Sequence, residues 1–244
     1  MRRVLGEMLL ATSLGMLVAC GSASTDGGFV EIPGVGATRI DVPRPSSGVS
    51  APCDGDPLPE PSDASLEDRV AALRELGFFA DRGERSDAEV AAEVEADSAE
   101  LWGDALAPDD PLIELLIMET DRVRVWWRDL EADVVEENQV YVDTLAAWAD
   151  ISVGSFTPVD IEEAWDGRSG PVRVRFTQDG TPHELSPSYL EDWIDPMILS
   201  DVNRVIESSR RRFHVYKAFD QTAYVMALTD AEREALEARG WCFE

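Results

Sequence analysis

Four groups of residues carry side chains that could do chemistry. Asp160, Glu162 and Glu163 stand just before Trp165, an acid pair beside an aromatic ring that would suit general acid–base cleavage of a sugar. His183 and His214 are the only histidines, and Cys53 and Cys242 the only cysteines beyond Cys20. A thiol nucleophile would need one of those cysteines free and activated by a histidine. Arg210-Arg211-Arg212 is the one basic run, able to grip carboxylates or phosphates, or to complement the carboxyl end of a helix. Trp126 and Trp127 are neighbours, so on a strand they face opposite ways. One of them is then either exposed as an interface anchor or covered by a second layer.

Other chemistries lack their residue patterns. There is no His-Glu-x-x-His and no Cys-x-x-Cys, and Asp54-Gly55-Asp56 has no downstream ligands for a calcium loop. Asp109-Asp110 and Glu136-Glu137 read as solvated or helix-start acids, so no metal and no cofactor is expected. No Gly-x-Ser-x-Gly elbow occurs, and Gly34-Val35-Gly36 has Arg39 where a dinucleotide loop needs its third glycine.

Charge narrows the partners. The 244 residues carry 49 Asp and Glu against 21 Lys and Arg, a net charge of −28. Such a field repels phosphate backbones, which argues against nucleic acid, and disfavours peripheral attraction to anionic lipid. An acidic surface instead suits solubility or a basic partner.

The amino terminus reads as an address. Met1-Arg2-Arg3 is followed by an apolar stretch over 8–18, too short to span a bilayer, and then by Leu17-Val18-Ala19-Cys20. These four residues resemble the lipobox of bacterial lipoproteins. The resemblance covers residues 1–20 only. It implies cleavage after Ala19, diacylglycerol on the Cys20 thiol and acylation of the new amino terminus. Two or more acyl chains hold a membrane stably where one binds marginally. The residue after Cys20 is Gly21 rather than Asp, which in Gram-negative lipoproteins implies the outer membrane.

The elements that must position the candidate residues follow. Residues 21–64 hold seven Gly, seven Pro and six Ser, a composition that buries too little apolar surface to offset ordering entropy. Residues 20–63 are therefore expected to be a disordered tether, although Phe29-Val30-Glu31-Ile32 and 38–42 alternate as edge strands do. With Cys20 lipidated, Cys53 and Cys242 remain as an even pair, expected to form a disulfide in an oxidising compartment.

Residues 64–244 are expected to form one α+β domain, a mostly antiparallel sheet with helices packed on one face and a helical segment at 64–118 in front. Ser65, Ser86, Asp110 and Thr229 are placed to cap helices. The 112–118 run fits a helix or a buried strand equally. Strands are expected over 122–127, 171–177, 181–185, 213–217 and 223–228, with Asp179-Gly180 as a hairpin turn. Helical residues are expected from Tyr141 to Trp148, and over 189–210 with a break at Pro196. The function expected is a lipid-anchored envelope protein with a non-catalytic domain that binds a protein or envelope component, in an immunity, inhibitor or assembly role. A carboxylate hydrolase and a small-ligand-binding lipoprotein are the alternatives.

Overall fold

A computed structural model describes residues 63–103, 106–107, 109–110, 112–218 and 221–244, with the backbone alone at Trp102, Lys217 and Ala218. All of these fall in one compact unit of the chain. The leader, the tether through residue 62, Cys20, Cys53, 29–32 and 38–42 lie outside the described residues.

The domain is α+β. Three helices come first. In α1 (Leu66–Glu75) the Ser65 hydroxyl accepts the Asp68 N–H at 3.1 Å. A reciprocal Ser86–Glu89 capping box starts α2 (Asp87–Trp102). The Asp110 carboxylate accepts the Leu112 N–H at 2.9 Å ahead of α3 (Leu112–Thr120). Residues Ile113 to Met118 of α3 are all buried, so its sequence has no polar face and no visible period. That is why the run reads equally as a strand.

The chain then turns on Asp121. This fully buried carboxylate accepts the N–H groups of Phe79, Val123 and Arg124, at 2.5, 2.8 and 2.6 Å. The turn delays β1 to Val125–Asp129, later than the alternation from Arg122 suggests. β1 joins two later strands, β5 (Arg212–Ala218) and β6 (Thr222–Leu228), in an antiparallel sheet of order β1-β6-β5.

Both faces of that sheet are apolar. Trp126, Phe213, Val215, Ala223, Val225 and Ala227 face one core, which also holds α4 (Val140–Ile151) and α5 (Ile198–Val205). Val125, Trp127, Tyr216, Tyr224, Met226 and Leu228 face a second core with α1, α2, α3, Trp241 and α6 (Asp230–Glu237). Helices thus cover the sheet on both faces. The two-residue side-chain period of a strand makes this possible when both registers are apolar, as in Thr222–Leu228.

A second antiparallel sheet has order β2-β3-β4, with β2 at Val159–Trp165, β3 at Val172–Gln178 and β4 at Thr181–Leu185. Its inner face joins the first core through Val172, Val174, Phe176 and Leu185. Asp179 and Gly180, at φ 51° and 75°, form the β3–β4 turn that their sequence anticipates.

The helical reading of 189–210 shrinks to the eight residues of α5. The reason is Asp195. Its buried carboxylate accepts the Ser188 N–H at 2.7 Å and the Met197 N–H at 2.9 Å, folding the preceding residues into a loop.

The free edge of β5 is covered. The Asn203 amide donates to the Phe213 carbonyl and accepts its N–H, at 2.7 and 2.8 Å. Two residues on, the Glu244 N–H meets the Val215 carbonyl at 3.0 Å.

Candidate functional site

The acidic group on β2 is divided by the strand itself. Successive side chains point to opposite faces, so Glu162 and Glu163 cannot act as a pair on one substrate. Glu163 turns inward. Its carboxylate accepts the Tyr141 N–H at 3.0 Å and the Trp165 Nε1–H at 2.7 Å. Tyr141 lies in the first turn of α4, and Gln139 before that helix supplies no side-chain cap. Glu163 therefore fills the capping role from a neighbouring strand, where a negative charge also favours the helix dipole.

Glu162 turns outward, opposite Arg175 on β3, which in turn pairs with Glu184 on β4 at 2.7 Å. Asp160 is held at φ 53° where the β2–β3 register shifts, so it leans out of the strand beside this row. Asp160 and Glu162 are exposed and make no ion pair among the described residues. Together with Arg175, Thr177, Pro182 and Glu184 they rim a shallow hollow of about 380 Å³. A second hollow of about 470 Å³ lies between β4 and α5, lined by His183, Glu184, Ser186, Asp201 and Arg204 among others. The strand β4 runs between the two.

The other candidate residues are placed differently. Trp126 and Trp127 do face opposite ways, but each is covered. Trp126 meets Trp148 edge-on at 5.8 Å, and Trp127 stacks on Tyr224 at 6.5 Å. Neither is an exposed anchor, because each face of their sheet has its own core. Of the arginine triplet, Arg210 is exposed, while Arg211 and Arg212 bond within the domain. Arg211 pairs with Glu232, and Arg212 donates to the carbonyls of Asn203 and Glu207. The triplet leads into β5, whose first residue is Arg212, rather than ending a helix.

His183 stacks on Phe176 at 5.5 Å, on the inner face of β4. His214 is packed beside Phe243, with its Nε2 buried and unbonded. Its pKa is lowered to about 4, chiefly by burial and then by Arg233. Cys242 is disulfide-bonded and is no free thiol. The other two cysteines, Cys20 and Cys53, both lie outside the described residues. Among the described residues no group of three or more His, Cys, Asp or Glu could hold a metal ion. Asp110 of one acidic pair caps α3 instead.

Two polar clusters escaped the sequence reading. In the first, Arg124 donates to the carbonyls of Leu76 and Ala227, both at 3.1 Å, and to Glu232 at 3.2 Å. Glu232 also closes the α6 capping box with Thr229 and takes Arg211. Burial opposes the charge on Glu232, but bonds from Arg211 and Thr229 and the charge of Arg124 outweigh it, so its pKa is lowered to about 2. In the second, the Tyr224 hydroxyl donates to Glu119, whose pKa is raised by burial. No sequence signal marks either cluster, since their partners meet only through the fold.

No helix among the described residues is long and apolar enough to cross a membrane. No family model matches the chain, and no curated protein or solved structure matches it either.

Proposed function

We propose that the chain is an exported bacterial lipoprotein, held through Cys20 to a membrane, whose folded part binds a protein or envelope component and does no catalysis. The anchor rests on Leu17-Val18-Ala19-Cys20, and the outer membrane on Gly21 after the acylated cysteine. An immunity, inhibitor or assembly role fits such an anchor.

The observation that carries the binding role is the division of the β2 acids. Glu163 serves α4, while Asp160 and Glu162 are left outward and unpaired among the described residues, on a shallow hollow. Outward, unmatched charge on a rigid sheet suits recognition of an opposite charge. A hydrolase built on Glu162 and Glu163 would need both acids facing one substrate, and these two face away from each other.

The test is crosslinking of the intact lipoprotein in native envelopes. One dominant stoichiometric protein is the expected product. A bound glycan, turned over by the protein and spared when Glu162 is replaced by Gln, would overturn the reading in favour of an enzyme. The anchor has its own test. Cys20→Ala should abolish membrane partitioning, and unchanged partitioning would refute lipidation.

A further inference from the structure

The first core has an opening to the surface. A slot of about 20 Å³ lies between β1, β6 and the start of α5, walled by Trp126, Leu130, Trp148, Ile194, Pro196 and Leu199 among others. Trp126 and Leu130 are half-buried and Pro196 is exposed, so these three mark its mouth. Next to Pro196 stands Met197, at 65% the most exposed large apolar side chain among the described residues.

The slot suits an apolar group better than water. Asp195 is the one ionisable residue in its walls, and that carboxylate is spent on the Ser188 and Met197 N–H groups. The Trp148 Nε1–H is buried without an acceptor. A water fits a space of this size, but it needs about two to four polar partners, and a lone indole N–H does not supply them.

A cation stands beside the mouth. Side chains two apart on a strand share a face, so Arg128 rises between Trp126 and Leu130 on the slot side of β1. Its register partner in β6 is Ala223, another wall of the slot. Arg128 is half-buried and forms no ion pair or hydrogen bond among the described residues. The nearby acids are placed elsewhere. Asp129 and Glu131 alternate to the other side of the chain, where Asp129 accepts the Glu131 N–H and Glu131 accepts the Gln221 amide. Asp192 lies beside Ala132, on the far side of Leu130 from Arg128.

We infer that this slot binds a small aliphatic carboxylate. The methyl end of the chain enters the slot, the body lies over Leu130, Pro196 and Met197, and the carboxylate meets the Arg128 guanidinium. An acidic macromolecule would face the whole field of a chain at −28, whereas a small monoanion meets chiefly this one local cation. The inference uses none of the residues on which the binding role above rests.

The probes are butanoate, hexanoate and hexylamine, titrated at millimolar concentration into the full-length chain in nonionic detergent micelles. The readout is the Trp148 indole N–H resonance, assigned by its loss in Trp148→Phe. Hexanoate shifts that resonance, and hexylamine, with the same chain and the opposite charge, does not. Butanoate binds more weakly by about fourfold for each CH₂ removed. Arg128→Gln weakens hexanoate about fivefold, as the loss of one exposed charge contact would. Arg128→Glu reverses the preference between hexanoate and hexylamine. Leu199→Phe fills the slot and abolishes binding, and the two exposed-site variants at Arg128 decide the matter where that core variant fails to fold.

No shift with hexanoate, equal shifts from hexanoate and hexylamine, or an affinity unchanged by Arg128→Gln would each overturn the inference. Crosslinking in envelopes reads the protein-binding role without this slot, so either can fail while the other stands.

Discussion

Acidification should expose the strain of keeping His214 neutral. The imidazole sits on β5 against Phe243, with Nε2 buried and unbonded. Arg233 from α6 and Arg212 from its own strand repel a proton there, and Asp230 offsets them only in part. The unfolded imidazole protonates near its ordinary value of 6.5, the folded one at about 4. Between these values the unfolded chain binds more protons, so stability falls as the pH falls through that window and levels off below it. The gap corresponds to about 3 kcal/mol, a large share of a typical domain's stability.

The assay is urea unfolding at pH 7, 5.5 and 4 for the parent and for His214→Gln. Acidification also relieves repulsion in so acidic a chain, and the buried Glu114 and Glu119, whose pKa values are raised, gain protons in the fold first. Both effects act on parent and variant alike and cancel in the difference. The parent should lose about 3 kcal/mol more than the variant between pH 7 and 4. Parallel losses would refute the reasoning.

Three further outcomes follow from the polar contacts. Glu232→Gln leaves Arg124, whose side chain is 4% exposed, short of its buried counter-charge, and should cost about 3 kcal/mol in denaturant unfolding. Glu163→Gln weakens the cap of α4 by about 1 kcal/mol, while Glu162→Gln stays within about 0.5 kcal/mol of the parent, both read by thermal melts. Cys242→Ser removes a disulfide and should cost about 2–4 kcal/mol. Non-reducing peptide mapping of the parent should join Cys242 to Cys53, and free thiols at both would refute that pairing.

What the sequence made legible was local. Ser65, Ser86, Asp110 and Thr229 bond the backbone two or three residues on, so their roles follow from spacing alone. Asp179-Gly180 is likewise complete within its own turn. The strand β2 was not legible. Its inward positions are Ile161, Glu163 and Trp165, and a charge stands where a core residue belongs because a helix 22 residues earlier needs it. The positive φ of Asp160 also breaks the alternation. The site suffered the same loss. Arg124 meets the Ala227 carbonyl across 103 residues, and the hollows beside β4 exist only once α5 and β2 are in place. The tryptophan pair and Arg211 looked like binding features because Trp148, Tyr224 and Glu232, which pack on or pair with them, come only later in the chain and meet them through the fold.

The strand β6 is a party wall. Its odd and even side chains belong to different cores, and Tyr216, Tyr224, Met226 and Leu228 are covered only from the side of α1, α2, α3 and α6. Residues 64–118 therefore cannot be cut away as a dispensable lobe. Removing them would strip α1, α2 and α3 from these four side chains and leave only α6 and Trp241 over them, a loss on the scale of a domain's whole stability. The two halves must melt as one, and a chain clipped before Val125 would open an apolar patch on the sheet around Tyr224 and Met226.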